Sequence, residues 1–182
     1  TLNVNIKGVI DPHNNKERFE KWADKPIIEG VSPANEKIIL SYVNDMELGL
    51  NTSAKVRKGK RSYTRLNSIR SRMKQIILLS EKKFGIDDIT QIKEDQIHML
   101  FNGMSEGKIK SQKGQVYKSV EDYIKVFKAF WHWHMKVQKK NNIMIPDLTE
   151  DLNCVKSIKP EWNCFDKEDF KFLEKLKLLG DD

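Results

Sequence analysis

The sequence lacks several features that would assign it to a familiar protein class. Its two cysteines, Cys154 and Cys164, are too few for a disulfide framework, and their spacing matches no zinc-binding signature. Proline and glycine are scarce, with 5 and 9 residues among 182, which excludes collagen-like and low-complexity chains. No apolar run approaches the ~20 residues that cross a bilayer, and no signal peptide opens the chain. We therefore expect an intracellular protein with reduced thiols and no membrane partner.

Catalytic and cofactor-binding motifs are absent as well. The sequence contains no glycine-rich phosphate loop, no His/Cys metal cluster and no nucleophile–base pairing. In the aromatic run 130–134, His132 and His134 would lie roughly 160° apart around a helix, so they cannot share a metal ion. Core packing explains Phe130, Trp131 and His134 better. We expect no cofactor, no metal and no small-molecule substrate.

The amino-acid composition is that of a folded, basic domain. Hydrophobic residues make up 38% of the chain, charged residues 32%, and the net charge is +7. Residues 55–83 hold eleven Lys or Arg against Glu81, a net +10, and residues 108–140 hold nine Lys against two acids, a net +7. The segments 1–54, 84–107 and 141–182 are net acidic, at −2, −4 and −4. Because the positive charge is concentrated in two segments, those segments can attract a polyanion.

Apolar periodicity predicts an all-α fold. Ser32-Pro33 opens a helix and Gly49 closes it, since serine caps, proline suits the first turn and glycine adopts the left-handed C-cap. We predict helices over 33–48, 62–83, 93–102 and 115–139, a possible short helix at Asn14–Trp22, and a last helix from Asp166. In the 115–139 helix we place Val116 on the apolar face. Ser119-x-x-Asp122 would act as a capping box if that helix began later.

The predicted helix 62–83 carries the sharpest functional signal. Nine consecutive charged residues, from Lys55 to Lys74, are all basic. Arg61, Arg65, Ser68 and Arg72 fall within about 60° of one another beside the apolar stripe, and no acid lies three or four residues away. Arginine and lysine neutralise phosphates, and arginine also reads guanine in the major groove. The candidate DNA contacts here are Lys55, Arg57, Lys58, Lys60, Arg61, Tyr63, Thr64, Arg65, Ser68 and Arg72.

A second basic cluster occupies the loop before the predicted helix 115–139 and the start of that helix. Its candidate contacts are Lys108, Lys110, Lys113 and Lys118. Lysine without arginine favours phosphate contact over base reading. The alternative interpretation is a flexible loop whose lysines are simply solvated, since such a loop would have the same composition.

The order of these features resembles a known family. The relevant stretches are Trp22 to Ser32-Pro33-Ala34-Asn35, the helix Ile38–Leu48 ending in Glu47-Leu48-Gly49-Leu50-Asn51, the basic helix Lys60–Lys83, the connector Ile86–Ile89 and the helix Tyr123–Trp133. Together they are similar to the N-terminal core-binding domain of phage-integrase-type tyrosine recombinases, especially archaeal ones. The segment from Phe165 resembles the opening helix of that family's catalytic domain. The resemblance covers roughly residues 20–182.

The resemblance implies an orthogonal four-helix core-binding (SAM-like) bundle with an N-terminal arm and a C-terminal linker plus helix. It divides the chain into an arm or short helix (1–31), a DNA-binding domain (32–146), and a linker with the first helix of a catalytic domain (147–182). The partners it implies are double-stranded DNA and other recombinase protomers, in a prokaryotic, nucleoid-associated cytoplasmic protein.

The family's cleavage chemistry uses arginines, a lysine, histidines and a tyrosine that attacks the phosphate. No His-x-x-Arg occurs in this chain, and none of its tyrosines lies in a matching context. We expect this chain to bind DNA without cutting it.

Two other hypotheses remain open. A helical protein-interaction or regulatory domain would use the same basic stripe against an acidic partner or RNA. A stand-alone helix-turn-helix repressor would also bind DNA, although no short helix–tight turn–helix pair with the usual glycine is evident.

Overall fold

The computed structural model describes residues 11, 13–50, 59–111 and 113–152. Within these ranges the chain forms five α-helices and no strand: α1 Asn15–Ala23, α2 Pro33–Leu48, α3 Tyr63–Phe84, α4 Glu94–Ser105 and α5 Val120–Lys140. A short 3-10 helix, Ile89–Gln91, lies between α3 and α4. The all-α prediction is confirmed. The predicted helix from Asp166 and both cysteines lie outside the described residues.

The ends of α2 and α3 follow the predicted capping chemistry. The Ser32 side chain accepts a hydrogen bond from Asn35 N, and Gly49 closes α2 with a left-handed φ of 73°. A Cβ on Gly49 would lie 2.6 Å from the carbonyl carbon of Gly59, so glycine is also needed for the close approach of these two segments. The Ser62 side chain caps α3 through Arg65 N. The predicted bounds 33–48 are confirmed, and those of α3 shift by one residue.

The predicted start of the last long helix at residue 115 is wrong. The described residues between Lys110 and Val116 belong to a turn instead. Ser111 N donates to Gln115 O at 2.8 Å, and Lys110 forms an antiparallel bridge with Val116. Val116 is therefore 51% exposed rather than on the apolar face. The helix begins at Val120, yet Ser119 makes no side-chain cap, so the capping box does not form either. Gly114, with a φ of 72°, supplies the turn that propensity alone did not indicate.

Helix α4 is longer than predicted because Gly103 does not end it. The helix continues to Ser105, with Gly103 buried in its last turn. A Cβ on Gly103 would lie 2.8 Å from Ile109 Cδ1, and Ile109 N donates to Gly103 O. The glycine thus serves close packing of the following loop rather than helix termination.

The short helix α1 packs against α3. Phe19 is 1% exposed and its ring lies 5.7 Å from that of Tyr63. Asn67 of α3 donates to Asn15 O at 2.9 Å. A helix was predicted here at Asn14–Trp22, but its packing onto the core was not. Residues 15–28 therefore belong to the packed body, with Ile28 also buried.

The core lies where α2, α3, α4 and α5 converge. Aromatic rings of α2 and α5 fill its centre, with the ring of Tyr42 5.4 Å from Phe130 and 5.0 Å from Trp133. The predicted burial of Phe130, Trp131 and His134 is confirmed. Helix α3 contributes one buried stripe, formed by Leu66, Ile69, Met73, Ile76 and Ile77. Because this stripe faces the core, the polar flanks of α3 are left at the surface.

Candidate nucleic-acid interface

One flank of α3 runs beside the start of α5 and carries three of the predicted DNA contacts. Arg65, Ser68 and Arg72 lie along this flank and are all partly exposed. Gln75 continues the row by one helical turn, and its Nε2 donates to the hydroxyl of Tyr117 at 2.9 Å. The predicted row therefore exists as a surface feature, and it meets the second basic segment at Tyr117.

Arg72 bridges the two helices. Its Nη2 donates to Asp122 Oδ2 of α5 at 2.8 Å, and its Nη1 donates to the Ser68 hydroxyl. The guanidinium carbon also lies 5.7 Å from the centre of the Tyr123 ring. The row has no acidic partner within its own helix, as the spacing indicated. For Arg72, however, the structure corrects the interpretation of an unpaired cation, because the acid comes from fifty residues further along the chain.

Arg65 differs from Arg72 in having no carboxylate partner in the described part of the chain. Its backbone N–H completes the Ser62 cap, so its position at the first turn of α3 is fixed. Arg61 precedes the helix, and its backbone N–H donates to Met46 O at 3.2 Å. Both arginines lie close enough to the buried Tyr42 for their charges to act on its phenol. The N-terminal end of α3 therefore carries two of the three arginines of this row.

Two predicted lysine contacts are neutralised by nearby acids. Lys60 Nζ lies 3.1 Å from Glu47 Oε1 and 4.9 Å from the centre of the Tyr63 ring. Lys108 Nζ lies 2.6 Å from Glu106 Oε2. The hydrogen bond from each lysine to its acid raises the pKa of that lysine. Because solvent screens exposed ion pairs, these contribute little, and phosphate can compete for both lysines.

The other lysines of the second segment lie on the 110–116 turn and just before α5. Lys110, Lys113 and Lys118 are exposed. Lys110 lines an open groove of about 570 Å³ together with Gln75 and Lys82 of α3. Lys118 lines a second open groove, of about 480 Å³, with Tyr117 and Asp122. The first groove is lined by residues of both basic segments, whereas the second lies between α4 and the start of α5. Lys110 therefore borders α3 directly, and the segment before α5 reaches the row through the bond between Gln75 and Tyr117.

Three predicted contacts lie outside the described residues: Lys55, Arg57 and Lys58. Of the shorter polar candidates, Thr64 is exposed, whereas Tyr63 packs on Phe19 and directs its hydroxyl toward Lys60 and Glu20. Tyr63 therefore has a structural role in addition to any role as a donor.

Four residues that contact each other on this surface were not predicted as site residues: Gln75, Tyr117, Asp122 and Tyr123. Gln75 follows Arg72 by three residues, so the spacing of the row would have found it. Asp122 was assigned to a helix cap, and no local pattern signals a pairing with a residue fifty positions away.

The two histidines of α5 have separate environments. His132 Nε2 lies 2.9 Å from Asp147 Oδ2 on the segment after α5. His134 is buried and stacks on Phe130 with ring centres 6.3 Å apart, and burial lowers its pKa despite the opposing charge of Asp88. Within the described ranges, no three His, Cys, Asp or Glu side chains cluster in a way that would hold a metal ion.

Comparisons with known proteins found no match to this chain among protein-family profiles, curated proteins or solved structures. None of the helices in the described ranges has both the length and the apolar character of a membrane span.

Proposed function

We propose that this chain binds double-stranded DNA through one surface, formed by the α3 row together with Lys110 and Lys118. We call it the basic face, and define it as Arg61, Arg65, Ser68, Arg72, Gln75, Lys110 and Lys118. The observation that carries the proposal is the contact between two basic segments distant in sequence. Lys110 lines one groove with Gln75 and Lys82 of α3, and Gln75 Nε2 donates to the hydroxyl of Tyr117. Clustered cations on one face release counterions when they meet phosphates.

The parent activity that best fits this face is site-specific recombination. The five helices are compatible with an orthogonal four-helix core-binding, SAM-like bundle preceded by α1. The sequence resemblance to tyrosine recombinases supports a role as the DNA-clamping half of such an integrase. The chain would then contact other protomers only when it is bound to DNA. Strand cleavage is not expected of this chain by itself.

Fluorescence anisotropy with labelled random-sequence duplex DNA tests the proposal. Binding should weaken steeply with salt, with a log–log slope of about −4 to −7 for five to eight phosphate contacts. We expect micromolar or weaker affinity at physiological salt, as is typical of non-specific contacts. A slope near zero would overturn the proposal.

Competing ligands and variants decide between DNA and the alternatives. An RNA duplex and a polyglutamate peptide serve as competitors, because an RNA-binding or protein-interaction domain would prefer one of them. Arg65→Ala together with Lys118→Ala should reduce DNA affinity strongly. Lys139→Ala together with Lys140→Ala also removes two exposed charges, at the far end of α5, and should have little effect. Lys140 lies about 27 Å from Asp122 at 1.5 Å per residue. Equal losses in both variants would show that net charge alone drives binding.

A further inference from the structure

Arg72 is a restrained cation of the basic face. Three groups hold its guanidinium: the Ser68 hydroxyl, the Asp122 carboxylate at 2.8 Å and the ring of Tyr123 at 5.7 Å. The side chain is 27% exposed, so part of the group still reaches solvent. An arginine has five N–H donors in one plane, and two of them are used here. The remaining donors are therefore presented in a fixed direction.

The carboxylate of Asp122 changes what this arginine can bind. A phosphate that approached Arg72 would also approach Asp122, and the two negative charges would repel each other. A neutral hydrogen-bond acceptor is not repelled by the Asp122 carboxylate in this way. The O6 and N7 atoms of guanine are neutral acceptors that arginine contacts with two parallel hydrogen bonds. The Arg72–Asp122 pair thus disfavours the DNA backbone and favours a base edge.

Arg65 provides the contrast within the same row. It has no carboxylate partner in the described part of the chain, so a phosphate that contacts Arg65 meets no acid paired with it. The two arginines, two helical turns apart, therefore present different chemistry to the same duplex. Arg65 is suited to contact a phosphate of the DNA backbone, and Arg72 is suited to contact the edge of a base.

We propose that Asp122 is a positioning residue for sequence recognition, which holds Arg72 for a guanine edge and keeps it from phosphate. This inference rests on the proposed DNA-binding function. If Asp122 only held α3 and α5 together, its replacement would instead lower folding stability and leave the discrimination between DNA sequences unchanged.

The test compares Asp122→Asn with a matched control. Duplexes from a randomised library are selected by binding to the wild-type chain, and the affinity for the enriched duplex is divided by that for random duplex. Asp122→Asn should bind random duplex more tightly, with a salt slope steeper by about one, because Arg72 gains a phosphate contact. The affinity ratio should fall by about fivefold or more, the discrimination that one bidentate arginine–guanine pair provides.

Glu121→Gln is the control, since it removes the same charge from the next residue, whose carboxylate pairs with Lys125 at 2.6 Å. It should leave the affinity ratio unchanged. Arg72→Lys keeps the charge but loses the planar donor fork, so it should lower the ratio and keep the slope. Melting curves show whether each variant is folded.

Each outcome supports or overturns the inference. An affinity ratio for Asp122→Asn within twofold of wild type would overturn it, as would a library that yields no enriched duplex. In both cases salt-dependent binding of random duplex would leave the proposed function intact. If wild type binds no duplex, the proposed function fails and the inference fails with it.

Discussion

Asn35 and Glu81 join the first turn of α2 to the last turn of α3. Asn35 Nδ2 donates to Glu81 Oε1 at 2.6 Å, and Ser32 N donates to the same oxygen at 2.8 Å. Asn35 Oδ1 accepts from Ile89 N at 2.6 Å, which ties in the connector after α3. Asn35 is fully buried, so these bonds replace water entirely. The network fixes the end of α3 that lies farthest from Arg65.

Replacement of Asn35 by alanine should destabilise the fold by about 2–3 kcal/mol. The buried N–H of Ile89 would lose the Asn35 oxygen as its acceptor, and the Glu81 carboxylate would lose one of its two donors. Urea denaturation followed by circular dichroism measures the effect. Asn44→Ala, on the exposed side of the same helix, should change the unfolding free energy by less than about 0.5 kcal/mol. Equal denaturation midpoints for the two variants would contradict this role.

Replacement of Arg65 by alanine should weaken duplex binding and make the salt slope less steep by about one, because one phosphate contact is lost. The melting temperature should hardly change, since a partly exposed cation without a carboxylate partner contributes little to folding. Lys110→Ala should weaken binding less. A large fall in melting temperature for Arg65→Ala would show instead that this residue supports the fold.

Replacement of Tyr42 by phenylalanine should leave the stability at pH 7 unchanged or raise it by up to about 1 kcal/mol. The buried hydroxyl finds no hydrogen-bond partner in the described part of the chain, so only its desolvation cost is removed. Burial also raises the pKa of this phenol, against the opposing charges of Arg65 and Arg61.

The same phenol gives a pH signature. The unfolded chain releases the Tyr42 proton near pH 10, at its ordinary pKa of about 10, whereas the folded chain retains it to higher pH. The unfolding free energy should therefore fall above about pH 10, and less so in Tyr42→Phe. Urea titrations at pH 8 and 10.5 compare the two proteins. A stability loss above 1 kcal/mol in the variant at pH 7 would indicate a hidden partner for the hydroxyl.

Acidification should destabilise the fold through His134. Burial lowers the pKa of this imidazole in the folded chain, so the unfolded chain binds a proton at higher pH. The stability contribution is complete above the ordinary histidine pKa of about 6.5 and is lost as the pH falls toward the folded value. Unfolding free energies at pH 7.5 and 5.5 should differ less in His134→Phe than in wild type. In His98→Gln the wild-type difference should persist.

Incubation with suicide DNA substrates should trap no covalent complex. Cleavage would need a tyrosine in line with a phosphate and cations on its free oxygens. Tyr42 is buried, Tyr63 packs on Phe19, and Tyr117 and Tyr123 contact each other with ring centres 5.4 Å apart. A denaturation-resistant adduct mapped to any of them would contradict the binding-only assignment.

Helix positions were predictable because their signals are local. Ser32 and Gly49 specify α2 through caps that act within one turn, and the apolar stripe of α3 identifies its buried face. The start of α5 was not predictable, since the turn at 110–116 depends on a bridge between Lys110 and Val116 that competes with helix formation.

The candidate site was likewise predictable only where its features are local in sequence. The Arg65–Arg72 row follows from helical spacing alone. The partner of Arg72 does not, because Asp122 reaches it only after α3 and α5 have packed. The packing of Phe19 on Tyr63 was also missed, since a single short helix carries too few apolar residues to indicate where it docks.

Helix α3 is supported along its length by α1 on one flank and by α5 on the other, and both its ends are capped. Its arginines are therefore held on a backbone that is already ordered before any ligand arrives. A basic segment that folds on contact loses part of its interaction energy to that ordering, and its binding shows a large negative heat capacity change. For this chain the heat capacity change on binding a duplex should be small. The enthalpy of association should accordingly vary little with temperature.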